Sequence, residues 1–287
     1  MNFHRWLGAT ALAVAMGCSH AQPSTPRVAL VQPSGSEVPA NLLRFSIRFE
    51  AQVEGPMLRR LALLRADGMQ IQEPFLEQEL WSPDGKVLTV LLHPGRVKSG
   101  LIAHDERGPI LSLGEDVTLV LDGHPIKQWR VGPANTVGPA VSAWKISAVR
   151  VGSRQPIVVT LDEPIDGRDV NYLAIADERD RRVAGRAQLA NGESTWTFVP
   201  NSPWRAGAYK LVARGTLEDP AGNRLGGHFE TPIHSPSGPP VDAVIPFAVA
   251  GAAHQRIWRG PAEADESFFQ LNLRSQNDEH DYDTRRR

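Results

Sequence analysis

The sequence predicts an all-β protein built from two similar antiparallel sandwiches behind an export leader. Three observations carry this. Short apolar/polar alternations recur every ~8–15 residues with turn signals between them, the spacing of sandwich strands. The chain is rich in turn formers, with Gly 25 and Pro 23, which favours turns over long helices. The early and late portions can also be laid over one another.

Residues 1–21 (MNFHRWLGATALAVAMGCSHA) have the layout of a secretory signal. Arg5 and His4 form a short basic front. An apolar run over 6–16 follows, too short to cross a bilayer as a helix. Two cleavage readings stand. Ser19 and Ala21 place small residues where ordinary signal peptidase needs them, so the mature chain would start at Gln22. Alternatively, Ala15-Met16-Gly17-Cys18 resembles the lipobox of bacterial lipoproteins, which implies lipid on Cys18. Ala15 and Met16 depart from that pattern. Cys18 is the chain's single cysteine. An intrachain disulfide and a multi-cysteine metal site are therefore excluded, and the fold must rest on its cores.

Strands are expected in order along the mature chain. Residues 43–49 (LRFSIRF) alternate with period 2. Residues 56–65 carry Met57, Leu58, Leu61 and Leu64. That spacing fits a helical stripe, or one turn leading into a strand at 61–65. Residues 86–92 (KVLTVLL) follow the Ser-Pro-Asp-Gly turn at 82–85, and 116–121 (DVTLVL) end at Asp122-Gly123. Residues 157–161, 194–199 and 208–213 behave alike, and 241–249 could add one more strand.

The overlay pairs 45–53 with 157–165, 61–68 with 173–180, 87–91 with 195–199, and 114–121 with 207–213. Its offset is about 110 residues early and about 93 later. An extra stretch at 101–113 in the first half makes up the difference. A repeat this long is a duplicated domain, not a solenoid. The expected domains are 27–132 and 140–250. The Gly/Pro-rich stretch 132–139 joins them, and a tail, 251–287, has a polar end (RSQNDEHDYDTRRR) that reads as disordered.

Residues 204–225 (WRAGAYKLVARGTLEDPAGNRL) resemble the closing motif of bacterial Ig-like domains of the surface-layer-protein type. That motif runs from a Gly-x-Tyr strand into a Leu-x-Asp-x-Ala-Gly-Asn-x-Leu hairpin. The opening at 33–49 is similar to the start of such a domain. The likeness covers most of 28–235 and is looser in the first half, which lacks the hairpin. It implies two tandem Ig-like sandwiches, used as spacers or interaction modules of exported proteins. It implies no reaction.

Candidate chemistry is sparse. The stretch 93–109 carries His93, Arg96, Lys98, His104, Asp105 and Glu106. Polar groups on a loop over a rigid sandwich are where binding would sit, and Arg96 and Lys98 suit a carboxylate or phosphate. The plainer alternative is a solvated connector. His93 and His104 match no metal-ligand spacing. In 217–223 (LEDPAGN), Glu218, Asp219 and Asn223 offer oxygens for Ca²⁺. The favoured reading is a structural turn, with Asp219 and Asn223 bonding backbone and Gly222 supplying an unusual φ. Asp162 and Glu163 form a carboxylate pair of the glycosidase type, a weak sign on a sandwich surface. Trp196 is expected in the core, and Trp81 and Trp204 at the surface as stacking platforms for sugars.

No catalytic residue, cofactor or metal is assigned. The net charge of -1 argues against a nucleic-acid partner, and Arg285, Arg286 and Arg287 are too few to change that. The expected partner is an envelope protein or polysaccharide. Membrane contact is expected only through lipid on Cys18. The expected location is the periplasm or outer membrane. The function expected is that of a non-catalytic envelope spacer or adhesion module. The alternative is a polysaccharide-binding accessory domain or an envelope hydrolase.

Overall fold

The computed structural model describes residues 25–97, 101–227 and 240–250. The leader with Cys18, Lys98 and the tail beyond 250 lie outside the described residues. The fold is all-β and of the sandwich type. The chain divides into two compact units between Ala134 and Asn135.

In the first unit the strands are β1 (Val28–Gln32), β2 (Glu37–Pro39), β3 (Arg44–Phe49), β4 (Leu61–Arg65), β5 (Phe75–Trp81), β6 (Val87–Leu92), β7 (Asp116–Leu121) and β8 (His124–Gly132). One sheet runs β1-β3-β6-β5 and the other β2-β8-β7-β4. Apart from the parallel pair β2–β8, neighbouring strands are antiparallel. Alternation puts Phe45, Ile47, Leu88 and Val90 of one sheet in the same core as Leu61, Leu63, Val117 and Leu119 of the other. Trp129 is 1% exposed there and donates its indole N–H to the Pro33 carbonyl.

β3 is more enclosed than its period-2 pattern predicts. Arg44 and Ser46, on the polar face, are also buried. Ser46 meets Thr89 directly across the β3–β6 ladder, hydroxyl to hydroxyl at 3.0 Å. Such a pair satisfies both groups out of water. The stretch 56–65 resolves into a 3-10 turn, Leu58–Arg60, that feeds β4. The 101–113 insertion lies within a longer connection between β6 and β7. That connection carries two short helices, α1 (Pro94–Val97) and α2 (Ile102–Arg107).

The second unit contains β9 (Lys145–Ile146), β10 (Ile157–Thr160), β11 (Leu173–Asp177), β12 (Gly185–Ala190), β13 (Thr195–Pro200), β14 (Gly207–Ala213) and β15 (Ala243–Val249). Its sheets run β9-β10-β13-β12 and β11-β14-β15. This is the pairing of the first unit again, without a counterpart of β2 among the described residues. Even an isolated bridge recurs 112 residues on, Leu64–Gln70 in one unit and Ala176–Arg182 in the other. Aromatic rings fill this core. Trp196 stacks on Phe198 at 5.7 Å between centroids, and Trp204 meets Tyr209 edge-on at 5.4 Å. The Tyr209 hydroxyl donates to the Arg205 carbonyl and accepts from the Arg205 N–H, a tyrosine corner of the Ig-like kind.

Candidate functional site

Two places gather polar side chains. The first is the α1–α2 connection of the first unit. Arg96 is 6% exposed. Its guanidinium donates to the carbonyls of Gly108 (3.1 Å), Gln72 (2.6 Å) and Glu73 (3.4 Å). It ties the two ends of the connection to the loop before β5. His104 Nδ1 lies 3.0 Å from the Arg96 carbonyl. Arg107 forms an ion pair with Glu73. Asp105 and Glu106 stand exposed on α2. The structure thus makes Arg96 and His104 a brace on the backbone, brings in His93 only through its carbonyl, which accepts from the Arg96 N–H, and leaves the two acids facing water.

His93 closes β6 and borders a cleft of about 750 Å³ along β5, lined also by Leu58, Arg59, Phe75, Glu77 and Gln78. Its Nδ1 is buried without a hydrogen-bond partner. Glu79 lies at one end of the cleft with both oxygens engaged. One accepts from the N–H groups of Met57 and Leu58, the other from the Trp81 indole. That carboxylate orders the turn into β4 and holds Trp81, which packs on Phe49 at 6.0 Å.

The second place is in the second unit, around the hairpin at 217–223. Asp219 is 0% exposed. Its Oδ1 accepts from the Asn223 N–H at 2.7 Å, and its Oδ2 from Asn223 Nδ2 at 2.8 Å. Gly222 takes φ +86, a conformation that glycine adopts without steric penalty. Asn135 adds its side-chain amide. Its Nδ2 donates to Asp219 Oδ2 at 2.8 Å and to Glu163 Oε2 at 2.5 Å. Burial pushes the Glu163 carboxyl up to about 7, and the charges of Asp219 and Asp162 push the same way, while the Asn135 bond opposes them. Burial likewise pushes Asp219 up to about 6, against the bonds from Asn223 and the hairpin backbone.

Glu163 follows Asp162 in the chain and feels its charge. Its neighbour Asp162 serves the framework: Oδ1 accepts from the Trp144 indole and Oδ2 from the Ala140 N–H. The acid that Glu163 meets is Asp219, through Asn135. Because Asp219 is walled in, a glycosidic bond cannot be placed between the two. Trp204, expected at the surface, is 2% exposed and donates to the Gln155 carbonyl. The pull of the aromatic core outweighs the turn beside it. Trp196 is buried as expected and donates to the Val170 carbonyl. Asn135 carries no signal in the sequence, since an Asn in a Gly/Pro stretch reads as a turn residue.

Among the described residues no helix is long and apolar enough to cross a membrane. No family model and no curated protein matches the chain. Solved structures give distant likenesses. The BSP domain of a biofilm-associated protein is 10% identical at a TM-score of 0.24, over 79% of this chain and 29% of that one. The L,D-transpeptidase from Mycobacterium smegmatis is 13% identical at 0.27, over 78% and 77%. Domains 4–9 of the surface-layer protein SbsC are 13% identical at 0.24, over 80% and 32%. This chain therefore spans less than a third of the first of these structures.

Proposed function

We propose that the chain is a non-catalytic exported protein of the bacterial envelope, a spacer or binding module of two repeated sandwiches. One observation carries the reading: Arg96, Asp219 and the tryptophans, residues singled out for chemistry, hold the framework. Arg96 braces carbonyls, and Asp219 is enclosed in its hairpin. The indoles of Trp81, Trp129, Trp144, Trp196 and Trp204 all donate within the fold. The leader pattern at 1–21, with Cys18 or Gln22 as the mature start, supports export.

The cleft along β5 favours polysaccharide as the partner over protein. It is open, and it combines apolar faces from Leu58 and Phe75 with the carboxylate of Glu77 and the amide of Gln78, the mixture that sugar hydroxyls and ring faces need. The test is to immobilise the full chain and pass envelope polysaccharide and envelope extract over it. Retention of either, with the polysaccharide chain length unchanged, is expected. Release of shortened oligosaccharides would overturn the non-catalytic reading. Recovery of the protein in the cytosol with Met1 intact would overturn export.

A further inference from the structure

We propose that Glu163 and Asp219, meeting on the side-chain amide of Asn135, form a proton-operated clasp that seats residues 135–140 on the second unit. One nitrogen donates to both carboxylates, so two oxygens of like charge lie no farther apart than the sum of those bonds. Glu163 Oε1 is buried without a hydrogen-bond partner. Asp219 is enclosed completely.

The segment they hold is closely fitted. Asn223 Nδ2 donates to the Asn135 carbonyl. The Gly138 N–H donates to the Gly227 carbonyl, and the Gly226 N–H to that of Pro139. A Cβ at residue 138 would stand 1.9 Å from the Arg224 carbonyl oxygen, so only glycine fits that approach. The Ala140 N–H ends on Asp162. Three carboxylates thus tie down six residues of chain.

The surrounding charges do not relieve the pair. On its own loop, Glu163 faces Asp162, and beyond it Asp166, which is paired with Arg168. On the hairpin stand Asp219 and Glu218, the latter engaged by Arg224. From the turn before β13 comes Glu193, whose carbonyl accepts from the Ile165 N–H, and from the 3-10 turn Gly167–Tyr172 comes Asp169, whose carboxylate accepts from the Glu218 N–H. The charges acting on Glu163 are those of Asp219 and Asp162, both negative. Two ionised carboxylates sharing one donor out of water repel each other. A proton on one of them removes the repulsion and closes the clasp.

Both carboxyls sit above their ordinary values, 4.5 for Glu163 and 3.8 for Asp219, reaching about 7 and about 6. The folded state therefore holds more protons than the unfolded one. Stability is full below the unfolded values and is lost as pH rises through the folded ones. The clasp is closed in mild acid and loosens as pH climbs to neutrality and beyond.

The experiment is hydrogen exchange on the full chain with a chelator present, so that no bound cation replaces the proton. Protection factors at Gly138 and Ala140, corrected for intrinsic exchange, are followed from about pH 5 to about pH 8. A fall of about tenfold or more is expected, as a one-unit shift implies. Glu163→Gln, similar in shape and uncharged, should show a smaller fall, because only the buried Asp219 then titrates in that range. A flat profile in the natural chain, or the same fall in the variant, overturns the proposal. Should the variant fail to fold, carboxyl ¹³C titration of the natural chain decides. A Glu163 carboxyl titrating near neutrality supports the clasp, and one titrating in the ordinary carboxylate range refutes it.

Discussion

Arg96 shows how a residue chosen for recognition serves the backbone instead. The carbonyls at 72 and 73, before β5, and at 108, after α2, converge on one planar guanidinium that reaches all three. Arg96→Ala should destabilise the first unit by about 1–3 kcal/mol, because three part-buried carbonyls lose their charged donor. Arg96→Lys should recover little of it, since an ammonium lacks the planar fork. Urea denaturation followed by NMR amide signals of residues 28–132 checks both. Unchanged midpoints would return Arg96 to the list of binding residues. The sequence supplied the residue types here but not their partners. Nothing in the string HPGRVKSGLIAHDERGP says that Arg96 faces inward, and nothing near Asn135 or Glu163 announces Asp219, which lies tens of residues away and is reached only through the fold.

At the scale of elements, legibility follows burial. β6 and β13 lie inside their sheets with cores on one face, so apolar residues mark them. β12 reads Gly-Arg-Ala-Gln-Leu-Ala, lies at an edge and is largely exposed. Its alternation, Arg186-Ala187-Gln188-Leu189, is short and only half-buried, and its register with β13 supplies what its sequence does not. β5 hides for another reason. Its ladder with β6 shifts between Phe75 and Glu79, which breaks the alternation. β2 is three residues long, below any periodicity. β15 is an edge strand among the described residues and carries Pro246 opposite Lys210. A proline has no N–H to offer a further strand, and edges are commonly guarded this way. Pro246→Val should restore that donor and increase self-association, read by light scattering against the natural chain. Identical scattering at all concentrations would show that the edge is guarded by something else.

For the molecule as a whole, the central claim is a duplicated sandwich in which each copy has its own interior. Val31 to Val131 supply one core and Trp144 to Val249 the other. The repeat was legible because β3, β4 and β6 nearly keep their spacing in β10, β11 and β13, while the insertion before β7 falls in a connection that can lengthen at small entropic cost. The most direct test compares Trp129→Ala with Trp204→Ala by hydrogen exchange of the full chain. Each truncation should cost about 3–5 kcal/mol locally. The account predicts that the first variant loses protection in residues 28–132 alone and the second in 140–250 alone. Loss of protection along the entire chain in either variant would contradict it.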